Sequence, residues 1–247
     1  MRIALMADIH ANREAFGACL THARSQRVDR FVFLGDYVNY GADPEWVVEE
    51  LIRMVRDGAI ALLGNHDAAV AERPGTMSSP AEIALEWTRV QLGAAHRKFL
   101  SELPLAHEED GLLFVHADAA APSRWAYVTD VQDAARTLLR AAVSRVTCCG
   151  HVHKPAIYGA SPASKITAFC PVAGVPVPLS PGRRWLVVVG SVGQPRDGNP
   201  AAAYSIFDSE KSEITTWRVP YDVEAAAAKI LAAGLPEMLA ERLKWGL

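Results

Sequence analysis

Aspartate, asparagine and histidine recur in five short blocks: Asp8-Ile9-His10, Gly35-Asp36, Gly64-Asn65-His66-Asp67, His116 and Gly150-His151-Val152-His153. Carboxylate, amide and imidazole together form a ligand set for divalent ions such as Mn, Fe, Zn, Ni or Co. Two such ions ~3.5–4 Å apart are usually bridged by one carboxylate. Asp36 stands alone after its apolar segment and is the natural bridge. In extended backbone, residues two apart share a face. Asp8 with His10, and His151 with His153, would therefore point in pairs into one pocket. Glycines 35, 64 and 150 are expected in tight turns at positive φ, aiming the ligands.

Each block follows a strand-like run: Ile3–Ala7, Phe31–Leu34, Ile60–Leu63, Leu112–Val115 and Val146–Cys149. The carboxyl ends of strands are where open α/β sheets bind ligands. Helical periodicity falls between them. Asn12–Arg24 carries Phe16, Cys19, Leu20 and Ala23 on one face, with Asn12 a candidate cap. A second helix opens at Pro44, and a third lies near Asp130–Ala142. Residues 68–104 read as an excursion beside the site: a loop from Arg73 to Pro80, then helices over Ala81–Leu92 and Ala94–Glu102. After Ala156 come short strands at Lys165–Phe169, Trp185–Val189, Tyr204–Phe207 and Ile214–Val219, read as a second, more antiparallel sheet packed on the first. Closing helices span Val223–Leu231 and Pro236–Lys244. The chain is expected to form one domain over residues 1–247.

The order D-x-H, G-D, G-N-H-D, lone H, G-H-x-H resembles that of the calcineurin-like metallophosphoesterases across residues 8–153. The run Gly190–Gly198 extends the resemblance toward a small bacterial and archaeal branch, with YfcE-like phosphodiesterases and relatives of diadenosine tetraphosphatases. The resemblance implies an α/β fold: a four-layer α-β-β-α sandwich of two mixed sheets with helices outside. It implies two divalent ions, Mn foremost. Asp8, His10 and His153 would hold one; Asn65, His116 and His151 the other; Asp36 would bridge. His66 would be the catalytic acid, with Asp67 orienting it through a hydrogen bond. The implied reaction is attack of a metal-activated hydroxide at phosphorus, with His66 protonating the leaving group. One departure stands out: the branch usually reads Asn-Pro-Gly-Ser where this chain has Val188-Val189-Gly190-Ser191.

The substrate class stays open among phosphomonoester, phosphodiester and nucleotide phosphoanhydride, with diadenosine polyphosphates and phosphoproteins as alternatives. An inactive scaffold of the same fold is the reading from a different class. Asn12 and Arg196 are candidate phosphate contacts, each with an ordinary alternative as helix cap or solvated loop residue. Trp125 and Tyr127 follow His116 closely enough to offer a stacking surface. His22, His96 and His107 lack partner spacing and read as packing or surface residues. A net charge of −3 argues against nucleic acid or anionic membrane as partner. No apolar run approaches membrane-spanning length. The first block begins too early to leave room for a signal peptide, and the four cysteines lack CxxC spacing. The expected location is the cytoplasm and the expected partner a small phosphorylated substrate.

Overall fold

The computed structural model describes residues 1–71, 79–141 and 144–247. The loop expected from Arg73 and the last residue of the expected helix at Ala142 fall outside them. In chain order the elements are β1 (Arg2–Met6), α1 (Arg13–Ser25), β2 (Arg30–Phe33), α2 (Pro44–Arg56), β3 (Ile60–Ala61), α3 (Asn65–Ala71), α4 (Pro80–Gln91), α5 (Ala94–Ser101), β4 (Ala106–Glu109), β5 (Leu112–Val115), α6 (Val131–Arg140), β6 (Val146–Cys149), β7 (Ala156–Ala160), β8 (Ile166–Phe169), β9 (Val177–Pro178), β10 (Arg184–Val188), β11 (Ala202–Asp208), β12 (Glu213–Val219), α7 (Val223–Ala232) and α8 (Glu237–Trp245).

Two mixed sheets of six strands result, ordered β3-β2-β1-β11-β12-β9 and β4-β5-β6-β10-β7-β8. Alternation along each strand decides the layers. Ile3 and Leu5 of β1 pack between the sheets with Val32, Phe114, Cys148 and Val187. Their neighbours Ala4 and Met6 face outward onto Phe16 of α1 and Val47 and Leu51 of α2. On the far side, Leu186 and Val188 of β10 and Tyr158 of β7 meet Ala134 and Leu138 of α6. That period of two yields the α-β-β-α order. Full burial of each such aliphatic side chain is worth about 1.5–3 kcal/mol.

The strands divide between the sheets differently from the expectation. The late strands do not form a sheet of their own. β11, β12 and β9 extend the first sheet beside β1, while β5 and β6 belong to the second and pair with β10, β7 and β8 beyond. Local pattern marks a strand but does not say which neighbour it pairs with. Strand β4 was not anticipated. Asp110 and Gly111, with φ of 49° and 73°, form its turn into β5. Asp-Gly between two short runs is the hairpin signal that could have revealed it.

Candidate metal centre and active site

Six loops meet at one edge, three from the carboxyl ends of each sheet. β1 delivers Asp8 and His10, β2 delivers Asp36, and β3 leads into Asn65 and His66. From the second sheet, β5 delivers His116, β6 delivers His151 and His153, and β10 leads into Gly190–Arg196.

The ligand pairs are not in extended backbone. Asp8, His10, Asp36, His151 and His153 all have positive φ, as do Ala11, Asn39 and Tyr40, between 48° and 73°. Left-handed backbone costs roughly 1–2 kcal/mol for a residue with a Cβ. These turns therefore persist because their surroundings hold them. The loops lace together: Asp8 N–H donates to Gly35 O (3.0 Å), His10 N–H to Asp36 O (3.0 Å) and Gly193 N–H to Asp8 O (2.9 Å). Of the three glycines expected at positive φ, only Gly35 has it. Gly64 and Gly150 are required by close approach instead. A Cβ on Gly64 would lie 2.2 Å from the Asp36 nitrogen, and one on Gly150 2.7 Å from Asp8 Oδ2.

Two clusters form. In the first, His153 Nε2 lies 3.4 Å from Asp8 Oδ1 and 3.2 Å from His10 Nε2. In the second, His116 Nε2 lies 3.2 Å from Asp36 Oδ2, 3.2 Å from His151 Nδ1 and 3.1 Å from Asn65 Oδ1. Asp36 Oδ2 also stands 4.0 Å from His10 Nε2, so it faces both. All seven residues expected as ligands converge here.

The chemistry of these contacts decides what fits. Each histidine binds a backbone carbonyl through one ring nitrogen: His10 to Val38 O (3.1 Å), His116 to Leu34 O (2.8 Å), His153 to Gln194 O (2.6 Å) and His151 to Trp125 O (2.9 Å). Since a carbonyl only accepts, that nitrogen carries a proton, and in the neutral ring the other turns its lone pair inward. Burial and the adjacent His153 hold His10 well below its ordinary pKa; burial and His116 push His151 to about 4. Asp8 Oδ1 and Asp36 Oδ2, one in each cluster, are buried without a hydrogen-bond partner. Carboxylate oxygens buried among imidazole nitrogens are costly unless a cation, metal ion or proton, sits among them. The residues fit one divalent ion per cluster.

His116 is the exception in protonation. Burial opposes its charge, yet the Asp36 carboxylate beside it raises its pKa to about 9. Without a cation, its Nε2 holds a proton at neutral pH. Metal uptake at pH 7 is expected to release about one proton there, and affinity should rise as pH climbs toward 9. Titration calorimetry in buffers of different ionisation enthalpy measures this directly. Binding heats that do not change with buffer would show the expectation wrong.

The expected bond from Asp67 to His66 is absent. The Asp67 carboxylate is buried and accepts from three backbone N–H groups: Asp36 (2.8 Å), Tyr37 (2.9 Å) and Gly64 (3.0 Å). Burial and then the Asp36 carboxylate raise its pKa to about 7, against the Gly64 and Tyr37 N–H donors. It braces the turns that present Asp36 and Asn65. The partner of His66 is Asn39, whose amide nitrogen lies 2.8 Å from His66 Nδ1. His66 Nε2 stands 3.2 Å from the Tyr40 hydroxyl and 4.0 Å from Asp36 Oδ2. Asn39 and Tyr40 were not singled out in the sequence. Their place just after Gly35-Asp36, and the left-handed tolerance of asparagine, are the available signals.

Asn12 is a helix cap. Its Oδ1 accepts from Ala15 N–H (3.0 Å), and its Nδ2 donates to Gly193 O (2.9 Å) and the Tyr221 hydroxyl (3.3 Å), leaving no N–H for a phosphate. Arg196 does reach the site. Its guanidinium lies 5.8 Å from the Tyr40 ring, binds Gln194 Oε1 (2.8 Å) and makes no ion pair among the described residues. Tyr127 stacks on His151 at 4.1 Å and keeps about half its surface exposed. His22 bonds Tyr204 and His107 bonds Glu109, both away from the clusters.

Comparison with known proteins places this geometry. Residues 1–212 match the calcineurin-like phosphoesterase superfamily domain. An uncharacterized protein of Methanocaldococcus jannaschii is 32% identical over 256 residues, covering 99% of this chain and 98% of its own. The crystal structure of a metallophosphoesterase from Sphaerobacter thermophilus superposes with a TM-score of 0.87 at 34% identity, over 100% of this chain and 99% of that one. A hypothetical protein from Pyrococcus horikoshii shares the fold, at TM-score 0.81 and 18% identity over 100% and 98%.

Proposed function

The chain belongs to the calcineurin-like phosphoesterase superfamily, and from that membership we propose a dinuclear hydrolase that cleaves a phosphate ester or anhydride of a small substrate. The carrying observation is the pair of buried carboxylate oxygens, Asp8 Oδ1 and Asp36 Oδ2, each set among imidazole nitrogens. Asp8, His10 and His153 would hold one divalent ion; Asn65, His116 and His151 the other; Asp36 would touch both. Bound there, the ions would supply an activated water and neutralise phosphoryl oxygens. Mn is the first ion to try, since carboxylate and amide oxygens beside imidazole suit it.

The remaining chemistry rests on side chains. His66 stands at the rim of the two clusters and would face the oxygen that leaves phosphorus. Arg196, which pairs with no carboxylate among the described residues, would grip a phosphoryl oxygen beside Tyr40 and His66. Backbone carbonyls fix the four ligand rings, so little reorganisation is required when substrate arrives. A small substrate accords with the negative net charge, which gives nucleic acid no general attraction. Among the described residues no helix is long and apolar enough to cross a membrane.

Hydrolysis of bis-(p-nitrophenyl) phosphate, p-nitrophenyl phosphate and diadenosine tetraphosphate, with Mn²⁺, Ni²⁺, Co²⁺ or Mg²⁺ added, tests the reading. Turnover that depends on metal is expected with at least one of them. Failure across every combination would favour the inactive scaffold.

A further inference from the structure

The Asn39 side chain has three neighbours, and together they orient it. Its Oδ1 accepts from the Tyr40 N–H at 2.8 Å, which only an oxygen can do. Its Nδ2 lies 3.2 Å from the Ala81 carbonyl, which requires a donor. The amide cannot be turned over without losing both contacts. Nδ2 therefore also donates to His66 Nδ1 at 2.8 Å, and that ring nitrogen must accept. The proton of a neutral His66 then sits on Nε2, which points past Tyr40 Oη (3.2 Å) toward Asp36 Oδ2 (4.0 Å).

We propose that Asn39 is a positioning residue that locks His66 as an Nε2–H hydrogen-bond donor, suiting the site to leaving groups that depart as stabilised anions. This rests on the phosphoesterase reading. A ring whose Nδ1 is occupied by an amide N–H has no second proton. Full transfer from Nε2 would leave an imidazolate, so His66 can stabilise charge on the leaving oxygen but not protonate it. An alkoxide requires that proton. A phosphate released from an anhydride, or an aryl oxide, leaves as an anion and needs only the hydrogen bond. A carboxylate at position 39 would do the reverse, accepting from an Nδ1–H and favouring the doubly protonated ring.

Asn39→Asp keeps the shape while giving up the bond to the Ala81 carbonyl, and aspartate tolerates left-handed backbone. The experiment loads Zn²⁺ into protein labelled with ¹⁵N-histidine and reads the His66 ring by long-range ¹H–¹⁵N correlation, with His66→Asn assigning the signal. The native protein is expected to show the Nε2–H tautomer, and Asn39→Asp a protonated Nδ1. In parallel, Asn39→Asp should raise kcat on an alkyl phosphate relative to p-nitrophenyl phosphate by about tenfold, with little change in KM. An Nδ1–H signal in the native protein overturns the proposal. So does an Asn39→Asp protein in which neither the ring signal nor the leaving-group ratio moves. The spectrum requires no turnover, so a protein inactive on every substrate would refute the functional reading while the tautomer was still decided.

Discussion

His66→Asn is expected to lower kcat by about 10²–10³-fold, the usual cost of removing one hydrogen-bond donor aimed at developing charge. Metal content should be unchanged, because His66 belongs to neither cluster: its nearest carboxylate oxygen, Asp36 Oδ2, is 4.0 Å away. The loss should grow with leaving-group basicity, since a donor contributes most where most charge appears. Alkyl phosphates should suffer more than nitrophenyl esters, and KM should change little. Steady-state kinetics on a graded series of aryl and alkyl esters, with metal analysis of each preparation, measures all of this. An equal loss across the series would remove His66 from the leaving group. Loss of bound metal would make it a ligand after all.

The largest effect on stability is expected from Asp67→Ala. One buried carboxylate satisfies the N–H groups of Asp36, Tyr37 and Gly64, and alanine would strand all three. Each buried unsatisfied donor costs about 1–3 kcal/mol, so the sum is about 3 kcal/mol or more. For a chain of this size that corresponds to a fall in Tm of roughly 6–12 °C. Activity should fall with it, because the Asp36 turn lies at positive φ and loses its anchor. Thermal melts followed by circular dichroism, at one fixed metal concentration, are the check. A variant within about 1 kcal/mol of the parent would mean that water reaches these amides and that Asp67 does not brace the turns.

How far the residues announced this arrangement depends on the range of the interaction involved. Convergence was legible because it needs only residue type and order: Asp8, His10, Asp36, Asn65, His116, His151 and His153 come together at one edge. The reason offered for that convergence was wrong. Extended alternation would also have aimed Asp8 and His10 together, but the chain uses left-handed turns, and pattern alone cannot separate the two. Asp67 was misplaced because adjacency to His66 suggested a bond, whereas as the third residue of α3 its carboxylate folds back on the N–H groups of Gly64, Asp36 and Tyr37. Asn39 was missed because its contact with His66 spans 27 positions, and its local signals mark a turn rather than a partner. Sheet membership failed for the same reason. β11 reads as a strand anywhere, and its place beside β1 is set across two hundred residues.

Each cluster draws on both sheets: Asp8 and His10 face His153, while Asp36 and Asn65 face His116 and His151. All four cysteines are free thiols, so no covalent tie joins the layers. An ion in either cluster would be a reversible rivet through the edge of the sandwich, coupling the first sixty-five residues to those beyond 112. Such a tie strengthens with free-ion concentration, by RT ln(1 + [M]/Kd) per site. Mechanical cohesion between the layers would then be adjustable from outside the chain, as no disulfide allows.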